Sequence, residues 1–200
     1  MKRYLVCLVL LLCIVFGVAA QEPENEEDFE PIYTLGDQKL SINLGLFVPL
    51  FFTGSAEGVQ SANLTVGGVG SIAWASYLNS AMSVGAEVAG SFSFTPNTRS
   101  LFLLHFAGTY TYTLRSYPFE FPLHMALGMS IARPEESTKI DPIVKPGVSF
   151  YWAYNSQWSF GVNTKYWWIP QIYTDRSEVP SSDTRFGNFL EISLSALYHF

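Results

Sequence analysis

From Leu40 to Phe200 the chain alternates apolar residues with small or polar ones, in segment after segment, with a period of two. That period belongs to β-strands, whose successive side chains leave on opposite faces. In the first segment Leu40, Ile42, Leu44, Leu46, Val48 and Leu50 alternate with Ser41, Asn43, Gly45, Phe47 and Pro49. Leu64 to Ala75 repeats the pattern more weakly, with Val66, Ile72 and Trp74 on one face beside Gly68 and Gly70. The third sets Val84, Val88 and Phe92 against Ser83, Glu87 and Ser91. The fourth sets Phe102, Phe106 and Tyr110 against Leu103, His105 and Thr109. The fifth sets Leu123, Leu127 and Met129 against His124, Gly128 and Ser130. The sixth sets Val144, Val148 and Phe150 against Lys145, Gly147 and Ser149. In the seventh Phe160, Val162 and Tyr166 oppose Gly161, Asn163 and Lys165. In the eighth Leu190, Ile192 and Leu194 oppose Glu191, Ser193 and Ser195. Eight strands of this length, joined in order, predict an all-β, antiparallel, up-and-down barrel over residues 38–200, each strand long enough to cross a bilayer at a tilt.

Alternation alone fits a soluble barrel with its apolar face inward as well as a membrane barrel with that face outward. Three features choose the outward sense. The face opposite the apolar one is rich in Gly, Ser and Ala with a few charges, which suits a crowded polar lumen and makes a poor water-facing surface. Connections alternate between short (Leu78-Asn79-Ser80, Arg115 to Pro118, Asn155-Ser156) and long (Thr53 to Asn63, Thr95 to Ser100, Ala132 to Asp141, Pro170 to Arg185), as in barrels with tight turns on one side of a membrane. Aromatics gather near both strand ends: Trp74, Tyr77, Trp152, Trp158, Tyr198 and Phe200 beside the short turns, Phe51, Phe52, Phe92, Phe94, Trp168 and Phe189 beside the long loops. Such rings form interfacial girdles.

The first twenty residues read as a signal peptide. Lys2 and Arg3 precede an apolar run from Tyr4 to Val18, and Val18-Ala19-Ala20 offers small residues for cleavage before Gln21. The only cysteines, Cys7 and Cys13, lie in this leader, and Leu10-Leu11-Leu12 before Cys13 is a poor lipidation context. A mature chain starting at Gln21 has no thiol for a disulfide or a thiolate metal site. Residues 21–37 carry seven carboxylates and no Lys or Arg, which predicts a flexible acidic tail. The basic patch that nucleic-acid binding needs is missing throughout. No segment after the leader holds eighteen consecutive apolar residues, so helices do not cross a membrane here.

The chain ends on Phe200, preceded by Tyr198, Ala196, Leu194 and Ile192 on one face. Tyr198 and Phe200 thereby resemble the terminal signal by which bacterial outer-membrane barrels are recognised by the barrel assembly machinery. With the leader and eight strands, the whole mature chain is similar to the small OmpA, OmpX and OmpW-like barrels, without a motif that selects one family. The resemblance implies a bacterial outer-membrane location with both mature termini periplasmic, outer-membrane lipid around the barrel, and the assembly machinery as a partner. OmpW-like proteins imply passage of small apolar molecules, and OmpX-like proteins imply action through external loops.

Charges on the inward face are the best-defined polar constellation. Lys145 and Lys165 are nearly equidistant from the turn at Asn155, which predicts that they face each other on neighbouring strands. Glu191 should lie beside Lys165, with Glu87 and His105 reaching the same height from the other wall. Like charges face to face repel, so carboxylates must neutralise them, either as a salt-bridge network that fills a narrow lumen or as a gated polar constriction. His105, His124 and His199 fall at different heights. That spacing predicts no imidazole metal site, and chance alone explains a Ser near His105 and Glu87, so no enzyme and no cofactor is expected. Asn63-Leu64-Thr65 is an ordinary loop end, and Gly67-Gly68 with Gly70 marks strand curvature rather than a dinucleotide fingerprint. The expected function is a narrow conduit for small or apolar solutes. The alternative is a non-transporting surface protein binding a partner through its loops (adhesion or envelope integrity), with Arg133 to Asp141 and Pro170 to Arg185 as the loops of interest.

Overall fold

The computed structural model describes residues 33–55, 58–62, 64–94, 100–133, 139–170 and 186–200. The stretch expected to be a signal peptide (residues 1–20), residues 21–32 of the expected acidic tail, and most of the three later loops lie outside the described residues. Nine strands follow in chain order: β1 (Gln38–Ser55), β2 (Gly58–Ser61), β3 (Gly67–Tyr77), β4 (Met82–Phe94), β5 (Ser100–Ser116), β6 (Phe119–Arg133), β7 (Lys139–Ala153), β8 (Trp158–Pro170) and β9 (Phe186–His199). All pairings are antiparallel between neighbours, and β1 pairs with β9 to close the sheet. Eight strands make the barrel. The ninth, β2, extends only the loop end of β1, so part of the long connection expected at Thr53 to Asn63 is a hairpin. Strands also run further into the loops than alternation indicates: β6 reaches Arg133 and β7 begins at Lys139. Backbone pairing continues there after the apolar pattern has faded.

Closure removes the unpaired edges of an open sheet. At the opposite, turn end, two of the three tight turns use one device. The Asn79 side-chain oxygen accepts from the amides of Ala81 and Met82 at 2.9 and 2.8 Å, and Asn155 does the same for Gln157 and Trp158. Asn is favoured in such turns because its side chain stands in for a backbone acceptor. Gln38 and Phe200 exchange backbone hydrogen bonds of 2.8 and 2.9 Å, which fastens the closing seam at its end.

The sense of the faces follows from exposure. Leu44 is 67% and Leu194 70% exposed, and Ile72, Val88, Phe106 and Met129 continue the belt around the wall. A continuous apolar belt on every strand exceeds any patch a soluble monomer presents and suits hydrocarbon as its surroundings. Lys145, Glu191 and His105 are at 0% exposure on the inner face. Three aromatics assigned above to the girdles point inward instead: Tyr77, Phe189, and Phe52, which the β1 bulge between Pro49 and Phe51 turns against Phe189. Tyr77 and Phe189 both have inward parity, and each finds ring partners in the lumen. Trp74, Trp158, Phe92 and Trp168 are on the outer face, at the two ends of the wall.

Candidate functional site: a filled lumen

The lumen is packed in three tiers. At the loop end lies an apolar cluster of Phe47, Val69, Leu103, Ile143, Trp167, Ile169 and Phe189. Phe47 sits 4.8 Å from the Phe189 ring and 5.0 Å from Trp167. This tier departs from the expectation of a polar interior. Phe47 and Leu103 already fell on the inward face by parity, but their neighbours from β7, β8 and β9 are brought level with them only by register.

The middle tier is the ionic cluster. It joins all five inward residues singled out above: Glu87 of β4, His105 of β5, Lys145 of β7, Lys165 of β8 and Glu191 of β9. Both ammonium groups donate to Glu87, Lys145 to one carboxylate oxygen and Lys165 to the other. Glu191 stands 3.4 Å from Lys145 and 3.9 Å from Lys165. It also accepts from Trp167 Nε1 at 2.8 Å and Ser193 Oγ at 3.1 Å. Register sets this arrangement. Lys165 pairs directly with Glu191, whereas Lys165 stands across from Gly147 rather than Lys145. The turn after β7 is longer than Asn155-Ser156, which displaces Lys145 by one inward step and lets a carboxylate sit between the two cations. Two lysines and two carboxylates leave the cluster neutral with His105 uncharged. Paired buried ions are tolerated, and lone ones are not.

His105 Nε2 is 2.9 Å from Lys145 Nζ and 3.1 Å from Glu87 Oε1. One neutral imidazole nitrogen cannot both accept from the ammonium and donate to the carboxylate. Its ring meets Trp167 edge-on at 4.5 Å, and Lys145 Nζ lies 4.2 Å over the same indole. Trp167 therefore belongs to both upper tiers. Its odd-number parity with Lys165 is the sequence signal that turns it inward.

Below the ions, amides and hydroxyls take over. Asn163 donates to Asn43 at 2.8 Å, Asn43 to Ser71 at 2.8 Å, and the Tyr151 hydroxyl to Asn163 at 3.0 Å. A cavity of about 70 Å3 lies against this network and the ions, lined also by Lys39, Thr109, Thr111 and His124.

The third tier closes the turn end. Tyr33, from the stretch expected to be a flexible tail, is buried and lies flat on Tyr77, with 4.5 Å between ring centres and 2° between planes. His199 stacks on it at 4.6 Å, and the Arg115 guanidinium covers it at 4.6 Å while donating to Glu120 at 2.9 Å. Gly36, at φ 98°, supplies the left-handed bend that leads into β1. Gly36 N donates to Tyr77 O at 3.0 Å and Tyr77 N to Asp37 O at 2.8 Å. Burial, followed by the Glu120 charge, pushes the Tyr33 phenol above its ordinary range, so it stays a neutral ring in this stack. Residues 33–37 are thus folded against the barrel, a correction to the expected tail. Tyr198 and Phe200 lie on the outer face of β9's turn end, with ring centres 5.9 Å apart. Among the described residues no group of three or more His, Cys, Asp or Glu side chains could hold a metal ion.

A protein-family model that carries no description of activity matches residues 20–198. The chain belongs to that family. No curated protein matches it by sequence. Among solved structures, Neisserial surface protein A is similar at TM-score 0.59 and 9% identity, covering 82% of this chain and 97% of that one. The outer membrane protein OprG from Pseudomonas aeruginosa is similar at TM-score 0.56 and 8% identity, covering 86% and 99%. The fold is that of the small eight-stranded outer-membrane β-barrels.

Proposed function

We propose that this protein is an integral protein of the bacterial outer membrane that works as a closed barrel, presenting its loops at the cell surface rather than conducting solutes along its axis. The observation that carries this reading is the neutral Glu87–Lys145–Lys165–Glu191 cluster, buried under the Phe47–Trp167–Phe189 tier. An eight-stranded wall leaves room for side chains and little else, and here the side chains fill it. Moving a solute through would require breaking buried ion pairs, each several kcal/mol. The turn end, with Tyr33 folded across it, would face the periplasm. The test is planar-bilayer conductance of the refolded chain. Silence in the wild type and in Lys145→Ala is expected, whereas steady unitary currents would overturn the reading.

A second reading, passage of a small apolar solute through the wall, is favoured by one feature. The β7–β8 ladder skips two residue pairs between Val144↔Trp168 and Gly147↔Lys165, where Pro146 has no N–H to donate. A disulfide engineered across this seam would abolish uptake of apolar solutes by reconstituted vesicles if the wall opens there. Unchanged uptake would sink it.

A further inference from the structure

The cavity of about 70 Å3 adjoins the Tyr33 layer, with Lys39, Ala75, Thr111 and Leu197 in its wall. One inward step nearer the turns on β3, β5 and β9 stand Tyr77, Thr113 and His199, all buried. Tyr77 and His199 are the two rings on which Tyr33 stacks. Residues 33–36, a strap ahead of β1, thus form part of what separates this chamber from the turn side. A single water needs roughly 10–15 Å3 of such space, so the chamber has room for several. Toward the loops its way out passes Glu87, Lys145 and Lys165, then the apolar tier of Phe47, Trp167 and Phe189. The turn side is one layer of side chains away.

The strap is held differently from the strands. Its turn bonds within itself: the Thr34 amide and hydroxyl donate to the Asp37 carboxylate at 2.7 and 3.2 Å, and Asp37 N donates to Thr34 O at 3.3 Å. Leu35 at its tip is 76% exposed, and a Cβ on Gly36 would meet nothing within 4 Å. Tyr33 is the buried anchor, gripped by the Tyr77 and His199 rings and the Arg115 guanidinium, with Gly36 N on Tyr77 O beside it. From Asp37 onward the chain is part of the wall: Tyr77 N donates to Asp37 O, and Gln38 and Phe200 fasten the seam. Lifting Tyr33 therefore breaks ring contacts and the Gly36 bond and leaves the strand ladders closed. Openings that break so little lie at the low-energy end of a folded protein's local fluctuations. We infer that residues 33–36 are a lid: Tyr33 swings off Tyr77 and His199 and opens the chamber to water on the turn side while the barrel stays folded. The lid rests on turn-end contacts, so it stands or falls separately from conductance along the axis.

The test is thiol access in the refolded full chain carrying Cys7→Ala and Cys13→Ala, with one cysteine introduced at a time. Thr111→Cys reports from the chamber wall. Ser91→Cys reports from the apolar tier, level with Val69 and Leu103. The reagent is methyl methanethiosulfonate, and mass spectrometry reads the rate. With the native strap, Thr111→Cys should react in proportion to reagent concentration and faster than Ser91→Cys. Adding Tyr33→Ala should raise the Thr111→Cys rate about tenfold or more, whereas Tyr33→Phe, which keeps the stacked ring, should leave it unchanged. Ser91→Cys should respond to neither. A Thr111→Cys rate indifferent to Tyr33→Ala would overturn the inference, because the strap would then close nothing. A rate that rises together with that of Ser91→Cys would overturn it too, because the whole barrel would be opening. Should Tyr33→Ala fail to refold, the native strap decides: equal rates at the two cysteines refute the lid.

Discussion

Removing the Glu87 charge tests whether the middle tier behaves as a buried, mutually dependent ion cluster. In Glu87→Gln the two ammonium groups that share its carboxylate keep only Glu191, at 3.4 and 3.9 Å. With an effective dielectric of about 20, unit charges at those separations attract by roughly 5 and 4 kcal/mol before desolvation is subtracted. Glu191 therefore compensates one lysine and cannot compensate both. The four-charge cluster goes from neutral to a net single positive charge inside the wall. Leaving one partner of a buried pair uncompensated costs about 3–5 kcal/mol. With a urea m-value of about 2 kcal/mol/M, the unfolding midpoint should fall by roughly 1.5–2.5 M. The assay is reversible urea unfolding of the refolded barrel in vesicles, read by tryptophan fluorescence, since Trp167 touches the cluster. Adding Lys145→Met to Glu87→Gln restores neutrality, and a double-mutant cycle should return a coupling of about 1–3 kcal/mol. A loss below about 1 kcal/mol for Glu87→Gln, with additive costs in the cycle, would refute the reasoning. It would mean that water reaches and screens these ions.

Three further outcomes are expected. A Cβ on Gly45 would lie 2.1 Å from the Ile192 carbonyl oxygen, whereas one on Gly108 meets nothing nearer than 3.9 Å. Gly45→Ala should therefore cost about 1–3 kcal/mol by overpacking the closing seam and Gly108→Ala almost nothing, compared by urea midpoint. Tyr33→Ala removes two stacked ring contacts of about 0.5–1.5 kcal/mol each. It should speed hydrogen exchange at Tyr77 and His199 while leaving Lys145 and its neighbours protected; uniform acceleration would mean that Tyr33 holds the whole barrel. Phe200→Ala should lower the yield of assembled barrel in cells yet leave refolding in vitro intact, because the outward Phe200 ring contacts Tyr198 alone among the described rings. Equal yields in cells would remove the assembly-signal reading.

Much of this architecture was legible because a strand's period is two. Parity alone divides Leu44 from Asn43 and Leu194 from Glu191, and it needs no knowledge of the partner strand. The scarcity of charge, and the place of each charge on the minority face, likewise followed from parity for Glu87, His105, Lys145, Lys165 and Glu191. What parity cannot supply is height. Placing Lys145 across from Lys165 failed because the turn between β7 and β8 takes in more residues than Asn155-Ser156, and a shift of two leaves the faces unchanged while moving every partner. Tyr77 and Phe189 were misplaced for a related reason: closeness to a strand end was allowed to outweigh their parity.

By itself, then, the sequence determined that eight strands form a closed wall with hydrocarbon-compatible residues outside and few charges inside, since alternation and strand length are local properties. The tertiary structure alone decided that one carboxylate stands between two lysines, that Trp167 roofs them, and that Tyr33 folds back onto Tyr77 and His199. Those contacts join residues from as many as five strands and from the chain ahead of β1. They depend on the stagger with which the barrel closes, a collective quantity that no single segment of sequence carries.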